Sequence, residues 1–153
     1  MNRVLVAVDG AKGSRVCIDA CVRLFAGRPP PTVILLHVLR YGGPSSVDGL
    51  SSDAELAELR QALEGTPQLQ ALNAKAEATL ATQRALFEER GFRDLRTVIK
   101  SGRAAEGILN GAVEYTAELI VIGNTRSLID KLMLGDVAQQ VANGAAIPVL
   151  LAR

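Results

Sequence analysis

Short apolar runs rich in β-branched residues alternate along this chain with segments whose apolar positions recur at helical spacing. Val4-Leu5-Val6-Ala7-Val8 is the first such run, and it breaks at the turn cluster Asp9-Gly10-Ala11-Lys12-Gly13-Ser14, so a strand, a loop and a helix capped by Ser14 are predicted. Over 15–26 the positions Cys17, Ala20, Cys21 and Leu24 share one helix face, and Gly27 with the prolines that follow it stops the helix. The run over 32–39 is apolar apart from its ends and His37, the pattern of a parallel strand covered on both faces.

Gly, Pro and Ser collect over 41–52, which predicts a loop able to shape a ligand pocket or a partner surface. Ala, Leu and Glu then dominate 53–90, interrupted at Gly65-Thr66-Pro67, so a short helix followed by a long one ending at Gly91 is expected. A third strand is predicted over 95–99. Ser101-Gly102-Arg103 turns into a helix carrying Ile108, Ala112, Val113 and the region around Tyr115 and Thr116. The fourth strand spans 119–122 and closes at Gly123, a helix covers 137–143, and a fifth strand covers 147–152. Strands that alternate with helices form right-handed βαβ units, hence one α/β domain over 1–153 with an open parallel sheet and helices on both faces.

The bulk properties exclude several functions. With 17 Lys and Arg against 16 Asp and Glu, scattered along 153 residues, the chain has no basic footprint for nucleic acid. Aromatic residues make up 3% and Trp is absent, which removes the stacking platforms that single-stranded nucleic acid requires. The first apolar run ends at Asp9, too early for a signal-peptide core, and no stretch reaches the length of a membrane helix; a cytoplasmic protein with no membrane partner is expected. Cys17 and Cys21, four apart, read as buried thiols packed on one helix face.

In open parallel sheets ligands bind outside the carboxyl ends of the strands, where strand order reverses, which directs attention to Asp9, His37, Val38 and Gly123. Neither a Gly-x-x-x-x-Gly-Lys-Ser/Thr loop nor a Gly-x-Gly-x-x-Gly pattern is present, so Lys12 reads as a solvated loop residue. His37 alone, with no Gly-x-Ser-x-Gly elbow, does not make a nucleophile and base; no catalytic residue and no metal-ligand set is assigned, and no enzyme is predicted.

Val4-Leu5-Val6-Ala7-Val8-Asp9-Gly10, Leu36-His37-Val38, Leu119-Ile120-Val121-Ile122-Gly123 and Leu134-Gly135-Asp136-Val137 followed by Ile147-Pro148-Val149-Leu150, in this order across the whole chain, resemble the universal stress protein family. The resemblance implies a Rossmann-like, adenine-nucleotide α-hydrolase-like sheet of strand order 3-2-1-4-5. It also implies homodimers paired through the last strand, here Val149, Leu150 and Leu151, and a role in the stress response. The family's nucleotide binders take ATP or AMP, with magnesium, on an Asp after the first strand, a backbone contact after the second and a motif of Gly, two residues, Gly, nine residues, then Gly and Ser or Thr. Carried over, these fall on Asp9, Val38, Gly123, Arg126, Gly135 and Asp136, with Val137 next.

The carry-over is incomplete. Arg126 stands where the second Gly belongs, the Arg126 to Gly135 spacing is one residue short, and Asp136 replaces the hydroxyl residue. A carboxylate there competes with phosphate for the helix amides and, with Gln139, resembles a capping box. Two unit charges about 4 Å apart repel by about 4 kcal/mol at an effective dielectric of about 20, about three powers of ten in affinity. Weak or absent ATP binding is the expectation. Arg126 either binds phosphate in place of the lost backbone cradle or pairs with Asp136, and Asp9 either contacts a nucleoside or caps its own turn.

Overall fold

In the computed structural model of this chain, residues 2–8, 12–39, 54, 58, 61–62, 64–123 and 137–153 are described, the side chains of 12–14 excepted. The expected turn at Asp9, the loop over 41–52, most of the short helix after 53, and the positions Arg126, Gly135 and Asp136 lie outside the described residues. The elements run β1 (Arg3–Ala7), α1 (Lys12–Leu24), β2 (Thr32–Leu39), α2 (Pro67–Glu89), β3 (Leu95–Ser101), α3 (Ala104–Glu114), β4 (Leu119–Gly123), α4 (Val137–Gly144) and β5 (Val149–Ala152).

Every pairing between the strands is parallel, and the order across the sheet is β3-β2-β1-β4-β5. The pleat sorts the side chains. Val4, Val6, Val33, Leu35, Leu119 and Val121 point to one face and meet Cys17, Ile18 and Cys21 of α1 and Leu80 and Phe87 of α2. Leu5, Leu36, Val38, Ile120 and Ile122 point to the other and meet Ile108 and Ala112 of α3 and Val137 and Val141 of α4.

The long helix α2 begins and ends on its own sequence. Thr66 caps its start in an extended conformation, its hydroxyl accepting from Leu69 N–H at 3.4 Å, and Pro67 occupies the first turn, where its missing N–H costs nothing. At the far end Gly91 adopts φ +93°, Gly91 N–H donates to Glu88 O and Phe92 N–H donates to Phe87 O, the paired bonds of a Schellman turn. The accompanying apolar contact is the edge-on packing of Phe87 and Phe92, whose centroids lie 5.2 Å apart.

Several boundaries differ from the sequence reading, four of them for a reason visible in the structure. Helix α1 begins at Lys12, so Ser14 lies inside its first turn and is not the N-cap. Helix α3 stops at Glu114 because Thr116 takes φ +50°, and Ala117 N–H closes back on Ala112 O at 2.9 Å. Strand β3 runs on to Ser101, since β2 offers partners as far as Leu39. Strand β5 starts at Val149, not at 147, because Pro148 has no N–H for a ladder.

Cys17 and Cys21 are fully buried thiols in the core beneath α1, the packing role predicted for them. Burial pushes the Cys21 thiol from 9.0 to about 12. Its folded value lies above its unfolded one, so this contribution to stability is intact below about pH 9 and is lost as pH rises toward 12. Between about pH 8 and pH 10 the chain should lose about 1.4 kcal/mol more unfolding free energy than a Cys21→Ala variant, measured by urea denaturation at both pH values; equal losses would show that the thiol is not held back by burial.

Candidate functional site

Strand order reverses at β1, which lies between β2 and β4, and the register shows that β1 is the first of the three to end. Ala7 is paired with Leu36, so β2 continues for His37, Val38 and Leu39 beyond it. On the other side Val6 is paired with Val121, so β4 continues through Ile122 to Gly123. The carboxyl edge of the sheet therefore carries a notch at its switch point, floored by the end of β1 and walled by β2 and β4.

Ladder alternation fixes which backbone groups face the notch. Thr32 N–H donates to Asn2 O and Val8 N–H donates to Leu36 O, so Thr32, Ile34, Leu36 and Val38 turn their amide and carbonyl toward β1. Ile120 N–H donates to Pro148 O, so Ile120 and Ile122 face β5 and Gly123 turns its own groups toward β1. Val38 and Gly123 thus present backbone to the notch from opposite walls, about 10 Å apart across two strand spacings.

The side chain of Val38 does something else. It is 9% exposed and packs under α3, where a Cβ built on Gly107 would lie 2.9 Å from its Cγ2 and 3.4 Å from its Cγ1. One turn on, a Cβ on Gly111 would lie 2.4 Å from Leu36 Cδ1. The two glycines let the α3 backbone settle directly on β2, and they hold Val38 in the wall of the notch. Sequence reasoning missed both, although their four-residue spacing on the apolar stripe of a predicted helix was readable.

His37 points to the opposite face of the sheet. Its Nδ1 lies 2.6 Å from Val8 O, and because a carbonyl only accepts, Nδ1 carries the hydrogen and donates. The histidine is thus a hydrogen-bonded residue at the carboxyl edge of the sheet. Val137 opens α4 with a buried side chain, and in a βαβ unit the start of that helix lies at the same carboxyl edge as the notch. In sequence Asp136 immediately precedes it.

Of the seven residues expected at the site, the described structure brings Val38 and Gly123 to one notch and opens α4 at Val137, while Asp9, Arg126, Gly135 and Asp136 lie outside the described residues. Among the described residues no group of His, Cys, Asp and Glu is arranged to hold a metal ion, and no helix is long and apolar enough to cross a membrane.

Comparison with known proteins places this geometry in a family. Residues 1–153 match the model of the universal stress protein family. The universal stress protein YxiE of Bacillus subtilis (strain 168) is 33% identical over 159 residues, covering 99% of this chain and 99% of that protein. Among solved structures, a universal stress protein in complex with cAMP matches at a TM-score of 0.68 and 20% identity, covering 99% of this chain and 96% of that one. The universal stress protein from Archaeoglobus fulgidus in complex with dAMP matches at a TM-score of 0.61 and 21% identity, covering 100% and 98%. At such identities these two likenesses show the fold, a Rossmann-like parallel sheet of order 3-2-1-4-5.

The contact of α3 with the wall of the notch can be tested. Gly107→Ala places a methyl group against a β-branched side chain with little rotameric freedom. Overpacking of about 1–3 kcal/mol then exceeds the gain of about 1 kcal/mol in helix propensity, so a net loss of about 1 kcal/mol in urea unfolding is expected. A more stable variant would show that Val38 moves aside freely.

Proposed function

The chain belongs to the universal stress protein family, and from that membership and the recessed end of β1 we propose that it is a dimeric, stress-linked regulatory module of the cytoplasm. In this reading it is not an enzyme, and its notch takes an adenine mononucleotide or nucleoside in preference to ATP. The observation that carries the reading is the pair of backbone walls, Val38 and Gly123, at the switch point of the sheet. Backbone groups recognise the heterocycle, and Asp9, next in the chain after Val8, is assigned to the sugar hydroxyls.

The phosphate end sets the preference. The start of a helix attracts phosphate through its free amides and the positive end of its dipole. Asp136 immediately precedes α4 in sequence, next to Gly135, so it brings a carboxylate to the start of that helix, and each further phosphate adds negative charge near it.

 Eight residues separate Arg126 from Gly135, where the family's pattern has nine. Arg126 offsets part of the repulsion by offering a guanidinium to the first phosphate. The structures of relatives in complex with cAMP and with dAMP, both monophosphates, are in keeping with this preference.

The choice of dimer edge follows from charge. The sheet has two edge strands, β3 and β5. In β3, Arg96 and Lys100 flank Val98, so antiparallel pairing of two copies about Val98 would set cation against cation. Strand β5, Val149-Leu150-Leu151-Ala152, carries no charge, and Leu151 is 39% exposed on it. Pairing through β5 satisfies the open backbone groups of that edge and covers Leu151.

Two measurements test the reading. In calorimetric titrations, AMP should bind and ATP should bind more weakly, with or without magnesium. Asp136→Ser should then raise ATP affinity by about two to three powers of ten, raise AMP affinity less and leave adenosine unchanged. Tight ATP binding by the unmodified chain would overturn the preference, and no binding of AMP, adenosine or ATP would overturn the nucleotide reading as a whole. For the dimer, light scattering should give twice the chain mass for the unmodified protein and a single chain mass for Leu151→Lys; a dimer that survives this substitution would place the interface elsewhere.

A further inference from the structure

The ladder between β1 and β2 follows regular parallel alternation up to a single rung. Val8 N–H donates to Leu36 O at 2.8 Å, and in a regular ladder the next bond would run from Val38 N–H to Val8 O. That rung is not made. The paired register stops at Ala7 and Leu36, and the Val8 carbonyl is instead held by His37 Nδ1 at 2.6 Å. His37 and Val38 are adjacent in β2, so one strand offers two donors toward one carbonyl, and of the two bonds only that of the ring is made.

We propose that His37 is a positioning residue for the notch: by holding the Val8 carbonyl it opens the last rung of the ladder and leaves Val38 N–H as a donor for a ligand. The inference rests on the nucleotide reading above for the identity of that ligand, but the opened rung itself is independent of it. The donor released in this way faces β1 by the alternation of the ladder, which is the side on which the notch lies. A heterocycle that accepts from Val38 N–H need not first break a bond to Val8 O, and the Val8 carbonyl is not left unsatisfied, because the imidazole N–H already serves it. The side chain of Val38, pinned under Gly107, keeps the freed amide in place.

Two substitutions separate the donor from the ring. His37→Asn retains a side-chain N–H near the position of Nδ1, whereas His37→Phe keeps a ring and removes the donor. In amide hydrogen exchange of the isotopically labelled full chain without ligand, Val38 should exchange much faster than Leu36 in the unmodified protein and in His37→Asn. In His37→Phe the rung should re-form and slow Val38 by about tenfold or more, with Leu36 and Val121 unchanged as controls for folding. AMP, the probe for binding, should bind His37→Phe about five- to tenfold more weakly, the worth of one net hydrogen bond, and His37→Asn nearly as well as the unmodified chain.

Equal Val38 exchange in the unmodified and His37→Phe proteins would overturn the proposal, as would AMP affinity that does not change when the exchange does. If AMP binds none of the three proteins while the exchange contrast holds, the nucleotide reading fails and the opened rung stands.

Discussion

Everything in this molecule depends on the backbone pairing of β1. A strand buried on both faces and flanked on both sides can satisfy its amides and carbonyls only through its neighbours, and Val4, Leu5 and Val6 are withdrawn from solvent almost completely. Pairing with β2 and β4 is therefore obligatory as long as β1 lasts, and the point at which it stops is a structural event. Beyond Ala7 the flanking strands go on without it. The backbone groups of Val38 and Gly123, on the sides of β2 and β4 that face the line of β1, mark the candidate site.

The two faces of the sheet are covered differently, and the difference bears on the site. Under α1 and α2 the core is filled by large side chains, among them Phe25, Phe87 and Phe92. Under α3 and α4 the helices contribute Ala104, Ala105, Ala112 and Ala138, and Gly107 and Gly111 bring the α3 backbone close to β2. Close approach leaves Val38 and Leu36 little room to shift. The wall of the notch formed by β2 is accordingly held from the α3 face by packing, while the His37 hydrogen bond acts from the other face.

Much of this fold was legible because each element carries its own signals. Thr66-Pro67 and Gly91 bound α2 by local chemistry, and the apolar runs mark the strands whatever surrounds them. The errors came where tertiary partners decide. Strand β3 runs to Ser101 because β2 is long enough to pair with it, and α3 ends early because Thr116 accepts a left-handed conformation that its sequence does not advertise. At the site, the place of Val38 and Gly123 followed from strand ends and topology. The partner of His37 did not, since a bond to the carbonyl of Val8, 29 residues away, depends on register, and register is invisible in a list of residues.

In the proposed reading the two ends of the nucleotide site are encoded in different ways. The heterocycle end is written in backbone groups placed by strand register, so substitutions that preserve the apolar pattern leave it in place. The phosphate end is written in side chains: a glycine that admits a close approach, a hydroxyl that leaves helix amides free. Arg126 and Asp136 change that end without touching the pattern that makes the sheet. A single carboxylate beside a helix start is worth several kcal/mol against a dianion but little against a neutral nucleoside, so the physical effect of such a change is to alter which nucleotide binds rather than whether the notch exists. A family built on this fold can therefore vary its response to phosphate while keeping its sheet, its core and the opened end of β1.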